Sequence, residues 1–402
     1  MAQYENGLPL HVKKHHGQTF LGGLGHVFHC NHYNAYLQMA VLLSEGIAGC
    51  DPKRLLADAV VPLVTHLERS GYSQQDLMDE FAYCGFGKLR KMRDEKWMTP
   101  YSHYGQAALM QGEGSLSCYF TAGYLSGMNH CRMEEVRCKQ QRAPLDIFEP
   151  RGELAEGENP FRFTPHYTEA PSRFDFPGCQ QFSTLVDEQA IMEAVSGLPL
   201  YGKGGLNDTG LIDAFGVVLT NHYADYYNLI TYETYHQMVA SGVSKEDVRN
   251  IFVQGGHICA FNTFGGIMSS PEWYQLVVPS CRSDTDWIHG MVAVINCLGW
   301  GIWRVEEVRE GERLVIRIYN SYEGTGYRRL YPPIEEKEIS FLNIGAVQGL
   351  AHLLWKIDIK QRPELTQEYY ANVFEDPGNS FHATQTHAIA AGDNYDRIVV
   401  SR

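Results

Sequence analysis

Three histidines near the N-terminus have the spacing of metal ligands or proton-transfer groups. His26, His29 and His32 lie three residues apart in the sequence GHVFHCNHYNAYLQ, residues 25–38. Side chains three residues apart share a face of a helix, so His26 with His29, or His29 with His32, could bind one metal ion. Imidazole also titrates near neutral pH and acts as a general acid or base. The cluster therefore predicts a catalytic or metal-binding site.

The Asn-His-Tyr of this cluster recurs in GVVLTNHYADYYN, residues 216–228, in a similar apolar and aromatic setting. The second copy has no histidine at the positions of His26 and His29. Because His32 has a counterpart in His222, we interpret it first as a residue that fixes the fold by hydrogen bonding, and second as a catalytic candidate. His26 and His29 belong to the first copy alone and are candidates for chemistry.

A fourth candidate, His103, lies in PYSHYGQA, residues 100–107, which is predicted to be a strand that lines a pocket. There it could serve as a general base or orient a polar ligand. A histidine on a surface strand fits the sequence equally. Tyr33, Tyr101 and Tyr104 are candidates for contact with a substrate, because aromatic side chains suit a mostly apolar pocket with a few polar groups.

Helices are predicted after each Asn-His-Tyr. Asp51 and Pro52 are typical of an N-cap and a first helical position, and open a helical sequence at 51–72. A Ser-x-x-Asp box at Ser73 starts the next, and the same kind of box starts 244–254.

Further segments also occur twice. Gly-aromatic-Gly steps within 83–90 and 296–304 each predict a turn from a helix into a strand, and 312–324 alternates like a strand. Apolar segments with paired small residues, 117–127 and 340–349, predict closely packed helices. We therefore expect an α+β protein of two tandem domains, 1–150 and 206–402, each with helices on an antiparallel sheet, arranged as a pseudo-dimer. Residues 151–205, rich in Pro, Gly and charge in their first part, are predicted to be a wrapping linker.

The order of these elements resembles the 4-vinyl reductase (hydrocarbon-binding) domain family. The resemblance rests on SCYFTAGYLSG at 117–127 and on EVRC at 135–138 with a following Asp-x-Phe at 146–148. That family typically carries Cys-aromatic-x-x-x-Gly-x-x-x-Gly, then Glu-x-x-Cys and a further cysteine. Its fold is α+β, and its members include phenol-sensing domains of transcription activators, in which these residues hold a structural zinc beside an aromatic-ligand pocket. The resemblance covers 25–150 and, more loosely, 206–402, so the second copy is expected to be degenerate.

The resemblance implies a metal site. It places Cys118, Glu135 and Cys138 at three ligand positions and Asp146 at the fourth, where the family has cysteine. One transition metal, zinc or iron, would suit such a set, although a carboxylate is a harder ligand than a thiolate. The second copy has Ser340, Gln385, Ala388 and Asp396 there, which cannot hold a metal in the same way. Because aspartate occurs in both copies, Asp146 could instead cap a turn, and the cysteines could be inert buried residues.

Composition restricts the partners. The chain has 402 residues, enough for two or three domains, and its net charge of −14 argues against a nucleic-acid partner. The N-terminus lacks the apolar core of a signal peptide, and no apolar run is long enough for a membrane span. Ten cysteines without a Cys-x-x-Cys pair fit reduced thiols, so we expect a cytoplasmic protein. Folds related to the resembled family often pair, so two alternatives stay open: a homodimer, or a monomer whose two copies form the pair within one chain.

Two functions fit these features. The first is a metal- or histidine-dependent enzyme that performs redox or lytic chemistry on a small, largely apolar or aromatic molecule in the N-terminal domain. The second is a non-catalytic module that binds or senses a small hydrophobic or aromatic ligand and carries a structural metal.

Overall fold

The computed structural model describes residues 12–105, 118–139, 143–154, 159–162, 164, 166–202, 206–374 and 380–402. Helices and antiparallel strands are mixed along this part of the chain, which confirms the predicted α+β class. No helix within it is long and apolar enough to cross a membrane.

The described helices are numbered in chain order. The α-helices are α1 Asn31–Leu42, α2 Pro52–Asp58, α3 Val61–Arg69, α4 Gln74–Tyr83, α5 Tyr119–Asn129, α6 Glu188–Ser196, α7 Pro199–Gly202, α8 Ala224–Ala240, α9 Lys245–Cys259, α10 Gly265–Ser269, α11 Pro271–Leu276, α12 Asp284–Ile295, α13 Tyr322–Leu330, α14 Phe341–Trp355 and α15 Gln367–Phe374. A π-helical turn, Ala260–Phe264, joins α9 to α10, and 3-10 turns lie at Val278–Ser280, Ile359–Gln361 and Ile389–Ala391.

The described strands form three antiparallel sheets. They are β1 Lys13–His15, β2 Gln18–Leu21, β3 Leu24–Cys30, β4 Arg90–Lys91, β5 Trp97–Thr99, β6 Cys131–Arg137, β7 Asp146–Glu153, β8 Ile212–Ala214, β9 Val217–Tyr223, β10 Ile302–Arg309, β11 Arg313–Tyr319, β12 His382–His387 and β13 Asp396–Ser401. The central sheet has the order β1-β2-β3-β9-β8. The two outer sheets, β4-β5-β7-β6 and β10-β11-β13-β12, share one pattern of connections.

Local sequence signals place several helices as predicted. Asp51 caps α2 through the N–H of Arg54, and Pro52 is its first residue. Ser73 and Asp76 form the reciprocal capping box of α4, and Ser244 caps α9. The helical sequence at 51–72 is divided into α2 and α3, so the prediction of helix there is confirmed with one break.

The central sheet joins the two parts of the chain: β1, β2 and β3 come from the N-terminal part, and β8 and β9 from the C-terminal part. β3 pairs with β9, and Phe28 lies opposite Asn221. The N–H of Phe28 donates to the carbonyl of Leu298 at 2.9 Å, and the N–H of Asn221 donates to the carbonyl of Cys84 at 2.9 Å. Leu298 and Cys84 each precede a Gly-aromatic-Gly step. The step after Leu298 packs on the N-terminal β-hairpin, β2–β3, and the step after Cys84 packs on the C-terminal β-hairpin, β8–β9.

Two glycines of these steps need their backbone freedom. Gly87 and Gly301 have φ values of 118° and 111°, in a region that other residues rarely adopt. Their N–H groups donate to the carbonyls of Gly210 and Gly17, at 2.8 Å and 3.2 Å. The predicted turn from helix to strand is therefore confirmed, and it also makes the reciprocal contact.

The prediction that the two Asn-His-Tyr sequences occupy the same structural element is wrong. Their positions relative to the equivalent strands β3 and β9 differ by three residues. Asn31 begins α1, whereas Asn221–Tyr223 ends β9. Since β3 and β9 are both seven residues long, His29 and His222 occupy the same position in the two strands. The retention of His32 in the second copy is therefore no argument for its structural role.

The segment before the C-terminal part follows the outer sheet of β10 and β11. The Thr168 backbone exchanges two hydrogen bonds of 2.8 Å with the Asn320 side chain. The N–H of Gln180 donates to the carbonyl of Glu306 at 2.8 Å. These contacts tie residues 168–180 to the C-terminal part.

Candidate functional site

The four residues that the resemblance placed at a metal site lie together. Cys118 is the N-cap residue of α5, Glu135 lies in β6, Cys138 follows β6, and Asp146 begins β7. One ligand atom from each lies within 4.8 Å of the other three. Three of these residues are buried and Glu135 is partly buried. We call this group the Cys118 tetrad.

The two carboxylate oxygens of Asp146 have different surroundings. Oδ1 accepts the backbone N–H of Lys139 at 2.7 Å, and Oδ2 lies 3.8 Å from Cys118 Sγ. Asp146 therefore caps a turn with one oxygen and faces a thiol with the other, so both roles considered for it are compatible. Burial raises the pKa of Asp146 to about 6. The neighbouring Cys138 thiol and burial raise the pKa of Cys118 well above its usual value.

The C-terminal part has a hydrogen-bonded group at the corresponding place. Ser340 is the N-cap residue of α14, and its N–H donates to Gln385 Oε1 at 3.0 Å, as Cys118 N–H donates to Glu135 Oε2 at 2.9 Å. The Ser340 hydroxyl and the Gln385 amide each donate to Asp396 at 3.0 Å. The same backbone arrangement is thus closed there by hydrogen bonds alone.

A transition metal fits the Cys118 tetrad chemically. Two thiols and two carboxylates share a buried space, where ionised groups without a counter-charge are costly. Zinc bonds of about 2.0 Å to oxygen and about 2.3 Å to sulfur place tetrahedral ligands about 3.3–3.8 Å apart, which the spacing in this group allows. Zinc or iron bound there would be a Lewis-acidic cross-link between α5, β6 and β7. Four protein ligands leave no open position, which is typical of structural sites.

The three N-terminal histidines do not share a helix face, so that prediction is wrong. His26 and His29 lie in β3, where side chains three residues apart point to opposite faces of the sheet. His32 lies in the first turn of α1. It is partly buried beside a surface groove of about 610 Å³, and burial lowers its pKa to about 4.

His29 is enclosed by aromatic side chains of both parts of the chain. Its ring centre lies 4.3 Å from that of Tyr33 and 4.8 Å from that of Trp300. Its Nε2 is hydrogen bonded to the Tyr322 hydroxyl at 3.2 Å, and its Nδ1 lies 3.5 Å from Cys259 Sγ. Burial lowers the pKa of His29 well below its usual value. His29 is therefore a neutral, fully packed residue.

His103 follows β5 instead of lying in a strand, so the predicted strand location is wrong, but the residue is fully buried. Asn34 donates to His103 Nε2 at 2.8 Å. Burial lowers the pKa of His103 to about 3. Tyr101, predicted to lie in the same pocket, is 39% exposed and lies under the Lys139 ammonium group.

An aromatic cluster surrounds His222, beside His103. The Tyr104 hydroxyl and His222 Nε2 are hydrogen bonded at 2.9 Å. The described rings whose centres lie within 5 Å of that of His222 belong to Phe86, Phe120, Tyr226 and Tyr227. Tyr227 donates to Asn34 Oδ1 at 2.5 Å, which connects the cluster to His103. We call these residues, with His103, Tyr104 and Asn34, the aromatic cluster.

Sequence reasoning missed residues that meet across the two parts of the chain. Asn34 and His222 were not candidates, because their partners come from distant segments. Glu80 and Cys84 lie beside His26 in a second group with metal-ligand spacing. Their own spacing of four residues at the end of α4 was the available signal, since positions four apart share a helix face.

Comparison with family models finds no matching family, and comparison with curated proteins finds no matching sequence. Among solved structures, one similar chain is titled "crystal structure of the phenol-responsive sensory domain of the transcription activator PoxR with Phenol". The similarity covers 48% of this chain and 84% of that chain, with 12% sequence identity and a TM-score of 0.33.

Proposed function

We propose that this protein is a non-catalytic binding module for a small hydrophobic or aromatic molecule, stabilised by one zinc or iron ion in the Cys118 tetrad. It consists in this proposal of two tandem 4-vinyl reductase-like domains, the second without a metal. The shared connections of the two outer sheets and the reciprocal contacts of the two β-hairpins support the duplication.

The metal site and the aromatic cluster are adjacent. Ser102 Oγ lies 3.5 Å from Cys118 Sγ and accepts the N–H of Gly105 at 3.1 Å. The residues between, His103 and Tyr104, belong to the aromatic cluster. A metal that holds Cys118 therefore also orders the segment that presents two polar groups of the cluster.

The hydrogen bonding of the His103 ring is the main support for a ligand with a polar group. Its Nε2 accepts a hydrogen bond from Asn34, so the neutral ring carries its proton on Nδ1. Nδ1 is buried and has no hydrogen-bond partner among the described residues. A buried donor without an acceptor costs about 1–3 kcal/mol. The hydroxyl oxygen of a bound phenol or alcohol would accept this hydrogen bond, with its carbon skeleton against the rings.

The pKa values of His29, His32 and His103 favour binding over catalysis by these three histidines. A general base works best when its pKa lies near the working pH. Burial holds the pKa of His103 at about 3 and that of His32 at about 4, and lowers the pKa of His29 well below its usual value. These residues are neutral at pH 7 and weak as bases, so a neutral ligand suits the cluster.

The test is calorimetric titration of the zinc-loaded protein with phenol and with toluene. We expect phenol to bind more tightly than toluene, and His103→Phe to remove at least a tenfold preference, the equivalent of one hydrogen bond of about 1.4 kcal/mol. Tyr322→Phe, which removes a hydroxyl beside His29 and leaves His103 intact, is the matched control. Mass spectrometry should recover phenol unchanged. Equal affinities for both probes, or a chemical product, would contradict the proposal.

A further inference from the structure

His26, Glu80 and Cys84 form a second buried group, apart from the Cys118 tetrad. His26 lies in β3, Glu80 in α4, and Cys84 is the C-cap residue of α4. One potential ligand atom from each lies within 4.8 Å of the others. Their exposed fractions are 2%, 1% and 0%. Solvent therefore does not neutralise this group, and its charges must be balanced within the protein.

The hydrogen bonding of His26 determines which ring nitrogen is available to bind a metal ion. Nδ1 lies 3.0 Å from the carbonyl oxygen of Leu24, which only accepts, so Nδ1 carries a proton. Nε2 is buried, has no hydrogen-bond partner among the described residues, and lies 3.6 Å from Glu80 Oε1. In a neutral ring the Nε2 lone pair would face a carboxylate oxygen. An imidazole with Nδ1–H on a carbonyl and a lone pair toward an anion has the orientation of a metal ligand.

Glu80 is held in place by tyrosines. The Tyr223 hydroxyl lies 2.8 Å from both carboxylate oxygens, and the Tyr124 hydroxyl donates to Oε2 at 2.9 Å. Oε1 is directed at His26 and lies 3.2 Å from Cys84 Sγ. No lysine or arginine of the described residues pairs with this carboxylate. The 3.6 Å between Glu80 Oε1 and His26 Nε2 is longer than a charge-assisted hydrogen bond, which measures about 2.7–2.9 Å.

The distances between the three groups fit one bound cation. Zinc bonds of about 2.0 Å to nitrogen and oxygen and about 2.3 Å to sulfur put tetrahedral ligands about 3.3–3.6 Å apart. The observed separations are 3.6 Å between His26 Nε2 and Glu80 Oε1, and 3.2 Å between Cys84 Sγ and the same oxygen. The third pair, His26 Nε2 and Cys84 Sγ, lies within 4.8 Å, so one ion between the three atoms would draw these two closer.

The C-terminal part shows that the fold does not require this polar group. Leu219 is the third residue of β9, as His26 is of β3. Leu298 accepts the reciprocal backbone hydrogen bond from β3, as Cys84 does from β9. The end of α12, residues 291–295, is Met-Val-Ala-Val-Ile, where α4 has Glu80. An apolar group fills the equivalent place, so this part of the fold can be built without the polar one.

We propose that His26 Nε2, Glu80 Oε1 and Cys84 Sγ bind a second transition-metal ion, zinc or iron(II). On binding, the Cys84 thiol loses its proton to solvent and becomes a thiolate ligand. Imidazole, carboxylate and thiolate together select such metals over magnesium or calcium. Three protein ligands leave a fourth position for a small exogenous ligand, whereas the Cys118 tetrad is closed.

The test counts metal ions per chain by elemental analysis and titrates the apoprotein with cobalt(II). A tetrad variant, Cys118→Ser with Glu135→Gln and Cys138→Ala, copies the residues of the C-terminal part and isolates the second site. We expect two zinc ions in the wild type, one in the tetrad variant, and none when His26→Leu is added to it. Leucine is chosen because Leu219 occupies the equivalent position.

Cobalt(II) should give a near-ultraviolet thiolate charge-transfer band in the tetrad variant. Cys84→Ser should abolish that band, and Cys297→Ser, a matched change at another buried thiol, should keep it. A folded tetrad variant that binds neither zinc nor cobalt would overturn the proposal. So would metal content that is unchanged by His26→Leu and Cys84→Ser. The phenol titration is independent of both outcomes, so failure here leaves the proposed binding function standing.

Discussion

Metal removal from the Cys118 tetrad should destabilise the wild type but not the tetrad variant. In the wild type, chelation leaves Cys118, Cys138 and two carboxylates together in a buried space. In the variant, Ser, Gln and Ala stand where the C-terminal part has Ser340, Gln385 and Ala388 around Asp396. Among the described residues that group is closed by hydrogen bonds, with no ion pair at its aspartate, so the variant should fold without metal.

The size of the effect follows from binding linkage. A metal at about 1,000 times its dissociation constant stabilises the folded state by about 4 kcal/mol. In a cooperative unit of about 150–250 residues, each kcal/mol moves the melting temperature by about 2–4 °C. Chelation should therefore lower the melting temperature of the wild type by about 8–16 °C, and that of the tetrad variant should change far less.

The assay is calorimetric melting with and without a chelator, combined with elemental analysis of each sample. His26→Leu in both proteins removes any contribution of the second proposed site. Cys138→Ser alone should melt near the chelated wild type, because it removes a ligand without supplying the hydrogen-bonded replacement. Wild-type protein that contains about one metal per tetrad and melts at the same temperature after its removal would refute a structural role.

Three further predictions concern stability. Gly123→Ala should lower the free energy of unfolding in denaturant by at least about 1–3 kcal/mol, because its new Cβ would lie 1.8 Å from a carbonyl oxygen of α2. Gly197→Ala should be tolerated, because the nearest atom to its new Cβ lies at 3.4 Å. Equal losses of stability in the two variants would contradict this prediction. His29→Ala should cost about 2–4 kcal/mol through cavity formation, and a melting curve like that of the wild type would show that the packing around His29 is dispensable. Burial raises the pKa of Glu323 from 4.5 to about 8, so its contribution to stability is present below pH 4.5 and is lost as the pH rises toward 8. Glu323→Gln should therefore flatten the decline in melting temperature between those pH values, and parallel curves would refute the assignment.

The sequence alone determined the features that depend on neighbouring residues. A capping box needs only Ser73 and Asp76, and a proline at the first helical position needs only its own ring, so these helix starts were predicted correctly. The four residues of the Cys118 tetrad were also singled out from the sequence, because the resemblance to the 4-vinyl reductase domain family places them at ligand positions. Whether the tetrad binds metal stays a prediction.

Tertiary structure decided which distant residues meet at the candidate sites. The three-residue spacing of His26 and His29 suits one face of a helix, but pairing with β2 and β9 makes this segment a strand and separates the two side chains. His26 then meets Glu80 and Cys84, and His103 meets Asn34, which in turn contacts Tyr227. Such contacts join residues many positions apart, so no local pattern encodes them. They depend on how the β-hairpin of each part of the chain packs on the Gly-aromatic-Gly step of the other part.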